Sequence, residues 1–216
     1  MQSIQELERR ASPGDLPHAL AYSDQALWVG TRDTKELYRI AVDTWSSERV
    51  GVCPGTPWGM TADHDGLWVT CGETEDDTRR IRRFRFGLGW NDSWTDCPGD
   101  EGSYLAFDGT RVYLVQWHRH RVLPMDEQLQ PTGEIRLPHG CVGAAFAGTR
   151  LFLITTDDEN GEETSPHYLS SLEIESGVCR DLYTFGYAAR SLAYDGTTLW
   201  TNHRKVNTLV RFRLPD

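Results

Sequence analysis

Apolar and polar residues alternate over short runs through most of this chain, the period of strands with one face buried and one in water. The runs also repeat. Five segments align without a gap: residues 20–29, 60–69, 105–114, 144–153 and 192–201. Each reads as a short apolar strand, a tight turn, and a second strand of large apolar residues. Most of the turns carry Asp-Gly or Ala-Gly, where Gly supplies the positive φ of a tight hairpin. An aromatic marks the second strand at Trp28, Trp68, Tyr113, Phe152 and Trp200, at spacings of 40, 45, 39 and 48 residues.

A third strand is predicted over 36–42, 80–86, 168–174 and 209–214, and a fourth over 48–53, 94–97, 133–137 and 178–183. Four antiparallel strands in every 40–45 residues or so is the size of one propeller blade. One such sheet cannot bury both its faces, so the units must stack around an axis. The expected fold is all-β: a single five-bladed β-propeller domain over 1–216, with blades at about 16–55, 56–100, 101–139, 140–187, and 188–216 plus 3–11. The last blade has only three strands. Segment 3–11 is expected to supply its fourth, which closes the ring and removes exposed edges. The competing reading of 5–10 is a short helix, favoured by propensity.

The repeat of the type Ala-Tyr-Asp-Gly-Thr-Thr-Leu-Trp (193–200) resembles the units of bacterial β-propellers, including lyases of the virginiamycin B type and gluconolactonase-like proteins. The stretch from Leu16 to Arg32 is similar in layout to the first blade of the propeller-type glutaminyl cyclases, and Pro57-Trp-Gly-Met-Thr-Ala-Asp63 resembles that family's strand starts. This resemblance implies the fold. It carries over no catalytic residue, because propellers host unrelated activities.

Composition narrows the function classes. The 216 residues hold 22 Lys plus Arg against 32 Asp plus Glu, a net charge of −10, which argues against nucleic acid as a partner. No apolar run is long enough to span a membrane, and the N-terminus is too polar for a signal peptide, so a cytoplasmic protein is expected. Five cysteines form no C-x-x-C pair and are expected to be reduced and structural. Cys53 and Cys97, each followed by Pro-Gly, read as one repeated position.

Ligands of propellers usually sit where loops meet the innermost strands. Two residues before the shared start of each repeat lie His18, Trp58, Ser103, Val142 and Arg190; one before lie Ala19, Gly59, Tyr104, Gly143 and Ser191. The second set is mostly small, as a crowded axis requires. The first diverges, as either a binding site on a repeat scaffold or an unconstrained wet position would. The ends of the second strands, Thr31-Arg32, Cys71-Gly72, Gln116-Trp117, Thr155-Thr156 and His203-Arg204, fall on a rim whose identity depends on strand direction.

The first functional reading is a non-redox enzyme acting on a small molecule at the channel mouth, a lyase, cyclase or hydrolase. His18 and His139 are its candidate acid and base, Trp58 and Tyr104 its stacking wall, and Arg190 and Glu101 its charged anchors, with Ser103 and His203 as further ligand contacts. The alternative is a non-catalytic platform for a ligand or a protein at the same mouth. Neither calls for a metal or a cofactor. His118 and His120 have chelating spacing but read as a polar hairpin. Residues 157–163 and 75–77 read as solvated acidic loops, and the Arg-rich run 79–85 as their partner in charge. His139-Gly140-Cys141 places a thiol near an imidazole, a minor nucleophile candidate.

Overall fold

The computed structural model describes residues 1–158 and 165–214. Among these there is no α-helix, and no helix long and apolar enough to cross a membrane. The chain opens with β1 (Gln2–Ser3) and β2 (Glu6–Ala11). Blade 1 then comprises β3 (Pro17–Ser23), β4 (Ala26–Thr31), β5 (Glu36–Ala41) and β6 (Ser47–Val52). Blade 2 comprises β7 (Thr56–Ala62), β8 (Gly66–Glu73), β9 (Thr78–Arg85) and β10 (Gly89–Asp96), and blade 3 β11 (Tyr104–Phe107), β12 (Val112–Gln116), β13 (Arg121–Pro124) and β14 (Ile135–Arg136). Blade 4 comprises β15 (Gly140–Ala147), β16 (Arg150–Thr156), β17 (His167–Leu172) and β18 (Cys179–Phe185); blade 5 has β19 (Ala189–Tyr194), β20 (Thr198–His203) and β21 (Thr208–Arg213). Each is an antiparallel meander, and β3, β7, β11, β15 and β19 pack side by side around the axis.

Closure follows the strand arithmetic. β2 pairs antiparallel with β21 and completes blade 5. The extreme N-terminus goes further than expected: β1 leaves blade 5 and lies parallel on β18 of blade 4, with Gln2 opposite Tyr183 and Ser3 opposite Thr184. The first residues thus stitch two neighbouring blades. Blade 3 is the thinnest. Its third strand, which the alternation did not reveal, ends at Pro124, which cannot donate to a ladder.

The axis is crowded to backbone contact. A Cβ on Gly59 would lie 2.4 Å from the Ser103 carbonyl oxygen and the Tyr104 Cα, and one on Gly143 would lie 2.8–2.9 Å from Ser191 backbone. Side chains tie the ring here: Thr70 Oγ1 donates to the Ser103 carbonyl (2.9 Å), and Ser191 Oγ accepts from the Leu20 N–H (2.9 Å). Toward one end, Ala21, Met60, Ala144 and Leu192 border a small cavity of about 130 Å³.

One interaction recurs at the opposite end of the hairpins from the blade entrances. Asp63 accepts the Trp68 indole N–H (3.0 Å), Asp108 the Tyr113 hydroxyl (2.9 Å), and Asp195 the Trp200 indole N–H (2.9 Å). Each carboxylate also holds backbone N–H groups of its own turn. In blades 2 and 5 an arginine from the third strand completes the set: Arg83 to Asp63 at 2.5 Å and Arg211 to Asp195 at 3.4 Å, each lying over the Trp ring. Burial opposes ionisation of Asp63 and Asp195, yet these donors outweigh it and hold both carboxyls below their usual range. Blade 4 has Ala147 at the Asp position and Phe152, which has no N–H to satisfy. Blade 1 breaks the rule. Ser23 replaces the Asp, and the buried Trp28 Nε1 has no partner.

A buried donor left unpaired costs about 1–3 kcal/mol. Ser23→Asp should therefore stabilise the protein by about 1 kcal/mol, a rise of roughly 2–4 °C in Tm for a chain of this size. Asp195→Asn should do the reverse. Thermal unfolding at neutral pH checks both.

Candidate functional site

The inner strands do not enter the ring straight. In β3 the register jumps between Pro17, opposite Thr31, and Ala19, opposite Gly30, so His18 is an extra, bulged residue. Trp58 is the extra residue of β7 and Val142 that of β15. In blade 3 the N–H of Ser103 reaches the Val115 carbonyl although Val115 already faces Tyr104. In blade 5 the slip comes one residue later, at Ser191, whose φ is +57°. A bulge bends its strand and re-aims a side chain. These five bulges lie at one end of the channel, and antiparallel pairing puts the ends of the second strands there too, as Pro17↔Thr31, Pro57↔Cys71 and Ala189↔His203 show. Both groups of candidate residues therefore share one mouth.

His18 is the centre of this mouth and is fully buried. The Trp58 ring stands edge-on to it (centroids 5.0 Å apart), and Tyr104 stacks on it (6.1 Å, 22° between planes). Arg204, from the turn after β20, lies 3.0 Å from His18 Nδ1, and Asn202 Nδ2 donates to the His18 carbonyl (3.0 Å). A guanidinium only donates, so Nδ1 is the acceptor and the ring proton sits on Nε2, which faces the Tyr104 hydroxyl oxygen at 3.4 Å. Burial, then Arg204, Arg190, Arg32 and Arg79 in that order, drive the His18 pKa well below its usual value. The ring is neutral at physiological pH. Burial also raises the Tyr104 pKa, against the pull of Arg190 and Arg204, and lowers that of Arg204, helped by Arg190.

Trp58 is a half-buried wall of the same mouth. Its indole donates to Asp77 (3.0 Å); the Arg79 guanidinium lies 3.9 Å from its ring centre and Arg32 5.8 Å. Arg79 is anchored on Asp77 (2.6 Å) and on the Gly102 carbonyl (2.9 Å). Arg32 lies 3.7 Å from Asp33. The result is a floor of His18, Tyr104 and Arg190 under a rim of Arg32, Trp58, Arg79 and Arg204.

The structure brings together His18, Trp58, Tyr104 and Arg190 of the expected set, with Ser103 buried beside them and held through its backbone. The others face elsewhere. His139 donates from Nδ1 to both oxygens of Asp157 (3.0 Å) and leans on Tyr168, on the blade 4 rim. Glu101 caps the next hairpin, accepting the His118 N–H (2.6 Å) and pairing with Arg119 (3.3 Å). The His203 ring stacks on Tyr187 (4.5 Å) and meets Arg9 (3.1 Å), at the seam with β2. Arg32, Arg79 and Arg204 were not among the expected residues. Arg32 and Arg204 are repeat equivalents, each four residues past the blade's marker Trp, a signal present in the sequence.

Among the described residues, the remaining motifs are held by local partners. Trp117-His-Arg-His is a turn with both imidazoles edge-on to Trp117, and no group of three metal-ligating side chains exists among the described residues. Cys141 donates to the Gly143 carbonyl rather than meeting His139, and burial pushes its thiol up to about 12. All five cysteines are free. Arg80 and Arg82 pair with Glu73 (2.9 and 2.5 Å). In the acidic loop expected over 157–163, residues 159–163 lie outside the described residues.

No protein-family model matches the chain, and no curated protein matches it in sequence. Its fold is similar to that of virginiamycin B lyase from Staphylococcus aureus (14% identity, TM-score 0.57, covering 96% of this chain and 99% of that one). It is similar to a PQQ-bound aldose sugar dehydrogenase from Streptomyces coelicolor (18%, 0.65, 99% and 81%) and to a chain of a mitotic checkpoint complex (9%, 0.60, 100% and 97%). A lyase, a dehydrogenase and a checkpoint assembly on one architecture leave function to the site.

A histidine that is neutral when folded but takes a proton near its ordinary pKa when unfolded destabilises the fold as pH drops below about 6.5, by up to about 1.4 kcal/mol per pH unit. Denaturant unfolding at pH 7, 6 and 5 should show this slope, and His18→Gln should flatten it by close to one proton.

Proposed function

We propose that this propeller acts on a small anionic molecule, a carboxylate or phosphate ester, held at the mouth around Trp58. The observation that supports this most is the clustering of Arg32, Arg79 and Arg204 with the buried Arg190 around an uncharged histidine, in a protein whose net charge is −10. Guanidinium groups recognise carboxylate and phosphate through paired N–H donors. A cationic mouth on an acidic body also draws anions to that one place. The flat Trp58 ring beside the arginines suits a ligand with an unsaturated or ring-bearing body.

On this reading the chemistry is non-redox, of the lyase, cyclase or hydrolase kind. His18 is then a positioning residue, because Arg204 occupies its acceptor nitrogen and its other nitrogen carries the proton. It serves as a base only once a ligand anion draws Arg204 away. Tyr104 is the group placed to give a proton to a bound anion: its oxygen faces the His18 N–H, and burial, against the pull of Arg190 and Arg204, keeps its hydroxyl protonated. The same arginines would serve a binding-only site, which turnover distinguishes.

Calorimetric titration with a panel of phosphate esters, dicarboxylates, neutral sugars and peptides tests the proposal. Anions should bind and the neutral sugars should not. Arg204→Gln should weaken binding by about tenfold or more, the loss of one charge-assisted bond. Affinity should rise as pH falls from 7.5 to 5.5, because a bound anion raises the His18 pKa and the complex takes up a proton. Binding of neutral sugars or peptides with no response to anions would overturn it.

A further inference from the structure

The missing Asp of blade 1 leaves more than an unpaired donor. In register, Trp28 faces Arg39 as Trp68 faces Arg83 and Trp200 faces Arg211. In blades 2 and 5 the carboxylate of Asp63 or Asp195 sits between such an indole N–H and such a guanidinium. In blade 1 the indole and the guanidinium are both kept and the carboxylate is gone. Trp28 is 5% exposed, its Nε1 has no partner, and Arg39 reaches Asp24 loosely, its carbonyl at 3.5 Å and its exposed carboxylate at 3.7 Å. These residues line a groove of about 430 Å³ between blades 1 and 2, together with Phe84 and Phe86. Phe86 stacks on Trp28 with ring centres 5.0 Å apart, and Phe84 tilts against it at 5.9 Å. Val50 adds the apolar floor.

We propose that this groove is a second ligand site, one that takes a small aromatic carboxylate, whose carboxyl group fills the place left by the absent Asp while its ring lies against Phe86 and Phe84. The protein itself shows the binding geometry twice, in blades 2 and 5, with its own side chains as the ligand. The donor set is a single indole N–H plus one guanidinium, enough for one carboxylate and too small for a phosphate's three oxygens. The rings supply a flat apolar surface that a bare inorganic anion would leave unused. Asp24, at the groove edge, has to release Arg39 for the carboxylate to enter. That exposed, long contact is of the kind that contributes little. The site is distinct from the channel mouth, which lies at the other end of the hairpins, and does not depend on the function proposed there.

Phenylacetate is the probe, followed by the indole N–H resonances of protein labelled with ¹⁵N-tryptophan, with Trp28→Phe to assign the Trp28 signal. The Trp28 resonance should move saturably with phenylacetate. The neutral phenylacetamide, and phosphate alone, should leave it in place. Ser23→Asp puts a carboxylate into the site from within, so it should weaken phenylacetate binding by about tenfold or more while raising Tm. Arg204→Gln, at the mouth, should leave the response intact. A Trp28 resonance that stays still at millimolar phenylacetate, that moves equally with phenylacetamide, or that responds with undiminished affinity in a folded Ser23→Asp variant would overturn the proposal.

Discussion

Five twisted sheets have to meet along one line, and the space on that line is narrower than five side chains. The rest of the structure answers to this constraint. It sets Gly59 and Gly143 where the neighbouring backbone comes within reach of a Cβ, and it lets Ser191 and Thr70 replace missing bulk with bonds across the ring. It also explains the bulges. A strand that continued straight would carry its next large residue into the packed axis; the extra residue turns His18 and Trp58 toward the mouth, where the strands diverge. The axis is packed to backbone contact at Gly59 and Gly143, and His18 and Trp58 lie at its mouth end.

That floor holds opposing demands in balance. A buried imidazole is stable here because it stays uncharged, and the arginines that surround it keep it so. Arg79 in turn is held by Trp58, Asp77 and the Gly102 carbonyl. Elsewhere, Arg80 and Arg82 close on Glu73, and Arg83 on Asp63, each cation matched at short range. At the mouth, Arg32, Arg79, Arg190 and Arg204 all lie close enough to act on the His18 ring.

The fold was legible because each hairpin repeats without a gap, so one register carries five times around the ring. Three of the four residues that meet at the floor and wall, His18, Trp58 and Arg190, were visible as divergence at equivalent positions, and Tyr104 as the one large residue in an otherwise small set. Arg32 and Arg204 were harder to see because they follow the second strands, and only antiparallel pairing brings those ends to the mouth where the first strands begin. His139, Glu101 and His203 depended on loop paths, which hydrophobic alternation does not encode: each found a nearer partner in Asp157, Arg119 or Tyr187. The third strand of blade 3 escaped notice because Pro124 and a two-residue neighbour leave it almost no alternation to read.

The stitching of β1 and β2 across two blades bears on how the molecule is made. On the ribosome β1 and β2 emerge before any blade, but their partners β18 and β21 follow blades 1 to 3, so they wait unpaired while those blades are made. Blades 1 to 3 can form their sheets as they appear, each a local meander. The ring shuts only when the last strands arrive. Until then blade 1 lacks its neighbour on one side, and its inner-strand flank is open to a second chain in the same state. The step most exposed to misassembly is therefore ring closure, and a crowded polysome is where it would show.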